Sequence, residues 1–363
     1  MKKDLFVLSA LALATASSQA YTLLESKETG TKIDLTGSAR LVWKSTSEKV
    51  HANGETHKEH INHAVANNGT RFGFKLKQEF DEDFYALGRV EWRFRGKAPS
   101  QHDFDDIYTR QLYAGIGSYT FGELTYGHQF TIADEVKQTD LGNTLSLSDG
   151  LLNGFERKSI QYVYNVIDGL KFGGFYGDHS KRSSNGLDRK NKRKDVMGAG
   201  VIYDYKFADN QHARFGTGMT RERSFNRDHS LFNYTAYSFG TAYTYGKTTV
   251  GLDLERGETK NKGIIGNKDV QKEVRTVLEY KFIPELRAYT MYAYKMNTRN
   301  VVNSRKQENK THQFMVGTEY YFIPKYVKGF VEAATSRTKQ NISGANSSKT
   351  RDNVVAIGVR AYW

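Results

Sequence analysis

The chain has 363 residues, with 53 Lys plus Arg against 40 Asp plus Glu (formal net charge +13), and 23 Tyr, 21 Phe and 33 Gly beside 3 Pro and no Cys. Zero Cys excludes disulfides, thiolate metal sites and Cys nucleophiles together, and no stretch beyond the first twenty residues approaches the ~20 apolar positions that a membrane helix needs. Abundant Tyr, Phe and Gly with so little Pro suits strands.

Residues 1–20 carry Lys2 and Lys3, an apolar run from Leu5 to Ala16, and small side chains at Ser18 and Ala20. This is the pattern of a cleavable signal peptide, which leaves residues 21–363 as one exported domain. An exported chain without Cys fits a bacterial envelope. In the next segment Arg40 and Lys44 oppose Leu41 and Trp43. The polar stretch 47–69 holds His51, His57, His60 and His63; imidazoles bind zinc or copper, but on an Asn- and Gly-rich loop a solvated surface is the simpler reading. From Arg71 to Phe80, Phe72, Phe74, Leu76 and Phe80 fall on one side and Arg71, Lys75, Lys77 and Glu79 on the other. Side chains alternate faces along a strand, so this is a half-buried strand. Arg89, Glu91, Arg93 and Arg95 likewise oppose Val90, Trp92 and Phe94. A long polar stretch occupies 128–157, and a basic run from Lys181 through Arg182, Arg189, Lys190, Lys192 and Arg193 to Lys194 follows. Alternation returns from Val270 to Phe282. Glu279-Tyr280-Lys281-Phe282-Ile283-Pro284 recurs as Glu319-Tyr320-Tyr321-Phe322-Ile323-Pro324, a repeat of 40 residues with Pro in the turn, where its missing N–H interrupts no ladder. At the C-terminus Val355, Ile357, Val359, Ala361 and Trp363 share a face opposite Arg360.

Alternation alone fits both a soluble sandwich and a membrane barrel with lipid outside and water inside. Connection lengths decide. Short turns near 81–83, Ser118, Asp168-Gly169, Asp209-Asn210, Gly246, Pro284 and Pro324 alternate with long polar segments at 47–69, 97–106, 128–157, 180–193, 223–231, 257–270, 297–309 and 339–351. Seven short and eight long connections join sixteen strands, the order of an up-and-down antiparallel transmembrane β-barrel. Phe80, Phe84, Phe207, Tyr245, Phe282, Phe322, Tyr326 and Trp363 cluster at the short-turn ends, as an interfacial aromatic belt requires. Sixteen strands at ~4.8 Å spacing and ~40° tilt enclose roughly 30 Å, too wide for side chains to fill, so the interior is an aqueous channel. Gly115-Ile116-Gly117 precedes no helix and no nucleophile motif is present, so the reading is not an enzyme and calls for no cofactor.

With Ile33-Asp34-Leu35-Thr36-Gly37, Arg71-Phe72-Gly73-Phe74-Lys75, Leu87-Gly88-Arg89-Val90-Glu91, Thr109-Arg110 before Ala114-Gly115, Leu124-Thr125-Tyr126-Gly127 and a terminal aromatic in order and spacing, the mature chain resembles a general diffusion porin of the Gram-negative outer membrane. The resemblance implies a homotrimer in the outer membrane, in contact with lipid and lipopolysaccharide, that passes ions and small hydrophilic solutes passively. It also implies a third long loop, here 128–157, folded into the lumen. On that loop Asp134 and Asp140 match the acid-bearing stretch, with Glu135 and Asp149 as additions; the Pro-Glu-Phe-Gly-Gly signature is replaced by Leu141-Gly142-Asn143-Thr144-Leu145. Arg71, Arg110 and Arg157 match the basic wall, Arg40 stands two residues beyond Ser38 where the family has Lys, and His128 stands where another Arg is expected. Alternation adds Arg89. Fixed charges facing each other across a narrow throat orient dipolar solutes, and the surplus of Arg suggests a weak anion preference. The basic run 181–194 would pair with lipopolysaccharide phosphates or form a solvated loop; nucleic acid is not a partner an exported chain meets. A substrate-specific channel, or an adhesin acting through its loops, is the alternative reading.

Overall fold

The computed structural model describes residues 20–95, 106–183, 187–225, 230–262, 266–300, 305–343 and 347–363. The expected signal peptide, apart from Ala20, lies outside them, as does most of the connection 97–106.

Sixteen strands form the wall: β1 (Thr31–Ala52), β2 (Arg71–Glu79), β3 (Phe84–Arg95), β4 (Asp106–Ser118), β5 (Gly122–Phe130), β6 (Phe155–Ile167), β7 (Leu170–Gly177), β8 (Asp188–Ala208), β9 (Gln211–Phe225), β10 (Leu231–Tyr245), β11 (Thr248–Asn261), β12 (Lys268–Ile283), β13 (Leu286–Asn300), β14 (Gln307–Ile323), β15 (Val327–Ile342) and β16 (Ser348–Tyr362). Each pairs antiparallel with its sequence neighbour, from Ser38↔Arg71 between β1 and β2 to Val327↔Ala361 between β15 and β16. β16 returns to β1 with Leu41↔Val359, which closes the barrel and leaves no open edge. Closure lets every wall strand find ladder partners on both sides, the condition hydrocarbon imposes on a spanning sheet.

Below Ser38 the seam is completed from the other end of the chain. Trp363 faces Gly37, whose N–H donates to the Trp363 carbonyl at 2.8 Å, and the short strand Ala20–Ser26 continues along the same edge of β1 from Ala20↔Thr36 to Ser26↔Thr31. The segment Ala20–Ser26 and the C-terminal Trp363 therefore lie one after the other beside one strand. Another short strand, Glu55–Asn62, folds back on the outer part of β1.

The alternation read from sequence is the alternation of the wall. Leu76, Leu124, Val250, Leu278, Phe314 and Ile357 are exposed on the outer face, whereas Glu91, Asp253, Arg275, Glu319 and Glu332 are buried on the inner one. Aromatic rings ring the short-turn end: Phe80 is 64% exposed and Phe322 63%. A continuous belt of bare apolar side chains around a polar interior is a membrane surface. Among the described residues no helix is long and apolar enough to cross a membrane.

The short turns fall where expected, but the wall strands run further into the long connections. Residues 188–193, 257–261, 297–300 and 339–342, read from sequence as loop, are paired strand. Beyond the lipid both faces of the sheet meet water, so the apolar and polar alternation disappears while the backbone ladder continues.

Candidate functional site

Three of the sequence-selected arginines meet around one carboxylate. Arg89 lies on β3 beside Glu91, and Arg71 and Arg110 come from the flanking strands β2 and β4. Arg89 Nη2 donates to Glu91 Oε2 at 2.7 Å, Arg110 Nη1 to Oε1 at 2.6 Å, and Arg71 Nη1 stands 3.7 Å from Oε1. Gln111 adds a donor at 3.2 Å. Arg110 reaches the cluster through a bulge, since Glu91 pairs Gln111 while Trp92 pairs Thr109. A bulge re-aims a side chain at low cost in ladder hydrogen bonds. One carboxylate held by three guanidiniums leaves a surplus of positive charge on this wall.

Arg40 sits on the neighbouring strand, directly across from Arg360, with its Nε donating to Ser38 Oγ at 2.8 Å. The other two basic positions are elsewhere. His128 is buried with its ring stacked on Phe155 at 4.6 Å, in the aromatic group over which the Arg110 guanidinium lies, 4.8 Å from the Phe130 centroid. Arg157, on β6, donates from Nε to the Ser183 carbonyl at 2.7 Å and so is tied to the connection after β7.

All four acids lie within the connection that joins β5 to β6, Asp134 and Glu135 on the 3-10 turn Ile132–Glu135 and Asp140 and Asp149 further along it. Asp134 stands 3.3 Å from Lys137 of the same segment. Crowding by protein pushes the Asp134 carboxyl above the ordinary aspartate range, against the opposing pull of the Lys137 ammonium. Glu135 is bound to Lys171 of β7 at 2.5 Å and approaches Arg214 of β9 at 3.4 Å. Asp140 accepts from Ser146 Oγ at 2.7 Å, and Asp149 pairs Lys295 of β13 at 2.6 Å.

What fastens this segment was not singled out in the sequence. Asp253 of β11 accepts from the backbone N–H of Gln138 at 2.7 Å and of Thr139 at 3.1 Å. Glu332 of β15 accepts from Asn143, Thr144 and Leu145 N–H at 2.5, 2.8 and 2.8 Å, and Glu255 of β11 from Leu151 N–H at 2.8 Å. These acids alternate with the exposed Leu254 and Val331, so they stand on the inner face. Arg275, fully buried, holds Asp253, Glu255 and Glu273 at 3.5, 2.9 and 2.6 Å. Apolar contacts add to the fastening. Leu141 and Leu147 cluster with Val277, Met291 and Met315, and Ile132 and Val136 with Phe175, Val196 and Ile202. Each fully buried aliphatic side chain contributes about 1.5–3 kcal/mol. The backbone passes so close to the wall that a Cβ on Gly216 or Gly240 would lie 2.5 Å from the Val136 carbonyl oxygen. The alternating Val250-Gly251-Leu252-Asp253-Leu254-Glu255 contained the signal: two carboxylates two residues apart on the polar face of a strand.

A family model for Gram-negative porins matches residues 7–341. The chain is 27% identical over 383 aligned positions to the major outer membrane protein of Pasteurella multocida strain Pm70, covering 100% of both chains. Its fold is similar to that of OmpT of Vibrio cholerae in a trimer form, with a TM-score of 0.64 and 16% identity over 92% of this chain and 100% of that one. It is also similar to the anion-selective porin from Comamonas acidovorans, with a TM-score of 0.61 and 14% identity over 92% of this chain and 100% of that one. A closed sixteen-stranded wall with bare apolar rings outside and charge inside, matched along nearly its whole length, belongs to the Gram-negative porin family, and the chain is an outer-membrane channel for passive diffusion.

Proposed function

We propose that Thr131–Gly154 folds into the lumen and narrows it, so that solutes pass between a basic wall and an acidic segment. The observation that carries this reading is the capture of six backbone N–H groups of the segment by Asp253, Glu332 and Glu255, carboxylates whose strand neighbours face lipid. Arg71, Arg89 and Arg110, with Arg40 beside them, supply the basic side. Asp134 and Asp140 supply the acidic side, while Glu135 and Asp149 are committed to wall cations. Charges fixed on opposite sides of a water-filled throat orient dipolar solutes and exclude apolar ones without any moving part.

Glu91 offsets only one of the three arginines that touch it, and Lys137 offsets Asp134, so the throat carries a positive surplus and a weak preference for anions. The working assembly in this reading is a homotrimer, the form in which OmpT of Vibrio cholerae is described. Residues 1–20 are a leader removed on export, a reading that rests on Lys2 and Lys3, the apolar run Leu5 to Ala16 and the small side chains Ser18 and Ala20. Lipopolysaccharide contacts the outer surface through the basic run that includes Lys190, Lys192 and Lys194.

Planar-bilayer recording in a salt gradient tests the reading. Openings in three equal steps, with a reversal potential of the anion-preferring sign, are expected; a cation-preferring potential overturns the charge assignment, and a silent bilayer overturns the channel.

A further inference from the structure

A cavity of about 820 Å³ separates the returning limb of the segment Thr131–Gly154 from the inner face of β8 to β11. That volume is in the range of pockets that take small ligands. Register sets its wall side. Ser224 pairs Phe232, and Glu222 pairs Tyr234, which pairs Thr259 on its other edge; all five line the cavity. Their strand neighbours Tyr237 and Phe239 are exposed on the lipid face, so alternation turns Phe232 and Tyr234 inward. Asn153 and Phe155 stand on the segment side, and Asp149 and Asp188 form an exposed rim.

The floor is held in place by its own hydrogen bonds. Asn153 Nδ2 donates to Glu156 Oε1 at 3.2 Å and to Glu222 Oε2 at 3.1 Å, Ser224 Oγ to Glu222 at 2.6 Å, and the Tyr234 hydroxyl to the Leu151 carbonyl at 2.8 Å. Two members of the basic run turn inward here, Arg189 onto Glu222 and Arg193 onto Glu156. A site so fixed pays little ordering entropy when it is filled. Charge then decides the kind of occupant. Asp134 has Lys137 at 3.3 Å, Asp149 has Lys295 at 2.6 Å and Glu255 has Arg275 at 2.9 Å, while Glu156 and Glu222 have the two arginines. At the rim Asp188 and Lys190, both exposed, add one charge of each sign. An ammonium must therefore compete with a cation already in place, and an anion meets carboxylates. A hydroxyl both donates and accepts, so it uses the lone pairs left on the carboxylates and the N–H groups left on the guanidiniums without breaking a pair. Phe155, Phe232 and Tyr234 add apolar ring surface for the C–H faces of a cyclic solute.

We propose that this cavity is a binding site for neutral saccharides, which dock beside the throat before they pass it. The proposal rests on the reading that Thr131–Gly154 lies in the lumen. It adds to that reading a resident site for one class of solute, built on β8 to β11 and separate from the arginines gathered around Glu91. A saccharide held there occupies part of the water column, so binding shows as a fall in ion current that saturates with sugar concentration.

The test uses the full-length protein, in detergent for titration calorimetry and in planar bilayers for current. Maltotriose is the probe, and a polyethylene glycol of the same mass, rich in ether oxygens and poor in hydroxyls, is the control. Maltotriose is expected to bind and to lower the current saturably, whereas the glycol lowers it only in proportion to its concentration. Phe232→Ala is expected to weaken maltotriose binding about fivefold or more. Phe232→Tyr keeps the ring and is expected to bind as the parent does, so the loss in Phe232→Ala reports the ring and not the fold. Equal affinity of parent and Phe232→Ala, equal loss in Phe232→Ala and Phe232→Tyr, saturable binding of the glycol, or tighter binding of spermidine than of maltotriose overturns the proposal. Current in sugar-free salt reports the channel by itself. A conducting protein without saturable block refutes the site alone, and a silent bilayer refutes the channel reading and leaves calorimetry to decide the site.

Discussion

Glu91 is the residue on which the basic wall depends. Its carboxylate is nearly inaccessible and is the shared acceptor of Arg89 and Arg110, with Arg71 behind them. Glu91→Gln keeps the shape and deletes the charge, so three guanidiniums lose their common counter-ion. The expected outcome is an anion-to-cation permeability ratio about twofold or more higher than that of the parent, read from reversal potentials; an unchanged ratio would show that these arginines do not face the conducting path. At this scale the sequence was only partly legible. Alternation alone put Arg71, Arg89 and Glu91 on one face, and Arg110 joined them by position, although its bulge was invisible because a bulge leaves no compositional mark. Arg157 and His128 were selected by position as well. Their neighbours are Ser183 and Phe155, and Lys158 with φ 51° between β6 residues shows that the ladder there departs from regular pairing. Asp253 and Glu332 were missed because their partners are backbone N–H groups more than a hundred residues away.

Among the elements, the segment Thr131–Gly154 depends on close approach to the wall. Gly240→Val would put its Cβ 2.5 Å from the Val136 carbonyl oxygen, so the segment must lift. The expected result is a larger single-channel conductance and a loss of about 1–3 kcal/mol in stability, measured by bilayer recording and by urea unfolding in detergent; parent-like values for both would show that the segment does not lean on this strand. The short turns hold a second element-scale device. Asp83, after β2, accepts from Ser118 Oγ at 2.7 Å and from Thr120 N and Oγ1 at 3.0 and 2.9 Å, tying two neighbouring turns together. The Ser118 hydroxyl, with the Thr120 donors, holds its carboxyl below the ordinary aspartate range. A carboxyl with a depressed folded pKa contributes stability that is present above about pH 4 and lost as the pH falls through the folded value. Melting temperature is therefore expected to decline below about pH 4 more steeply in the parent than in Asp83→Asn, which lacks the ionised acceptor; parallel curves would sink this account. The turns themselves were legible from Asp, Asn, Gly and Pro. The outer strand extensions were not, because polar side chains on both faces erase the period of two.

For the whole molecule, closure was the most legible property: strict alternation of short and long connections and an even strand count required a barrel before any contact was known. What sequence did not disclose is how the seam is sealed. Trp363 opposite Gly37 and Ala20 opposite Thr36 meet along one edge of β1, and the first of these pairs joins residues more than three hundred positions apart. The proposed trimeric assembly has no patch that was readable from composition, since the lipid belt of the outer face is apolar all the way round. The central claim, that apolar rings face lipid around an enclosed column of water, is tested most directly by liposomes reconstituted with the purified protein and challenged with neutral sugars of increasing size. Rapid entry of small sugars, with rates that fall steeply as the sugar grows, is the expected result, whereas vesicles that stay sealed to the smallest sugar would contradict it.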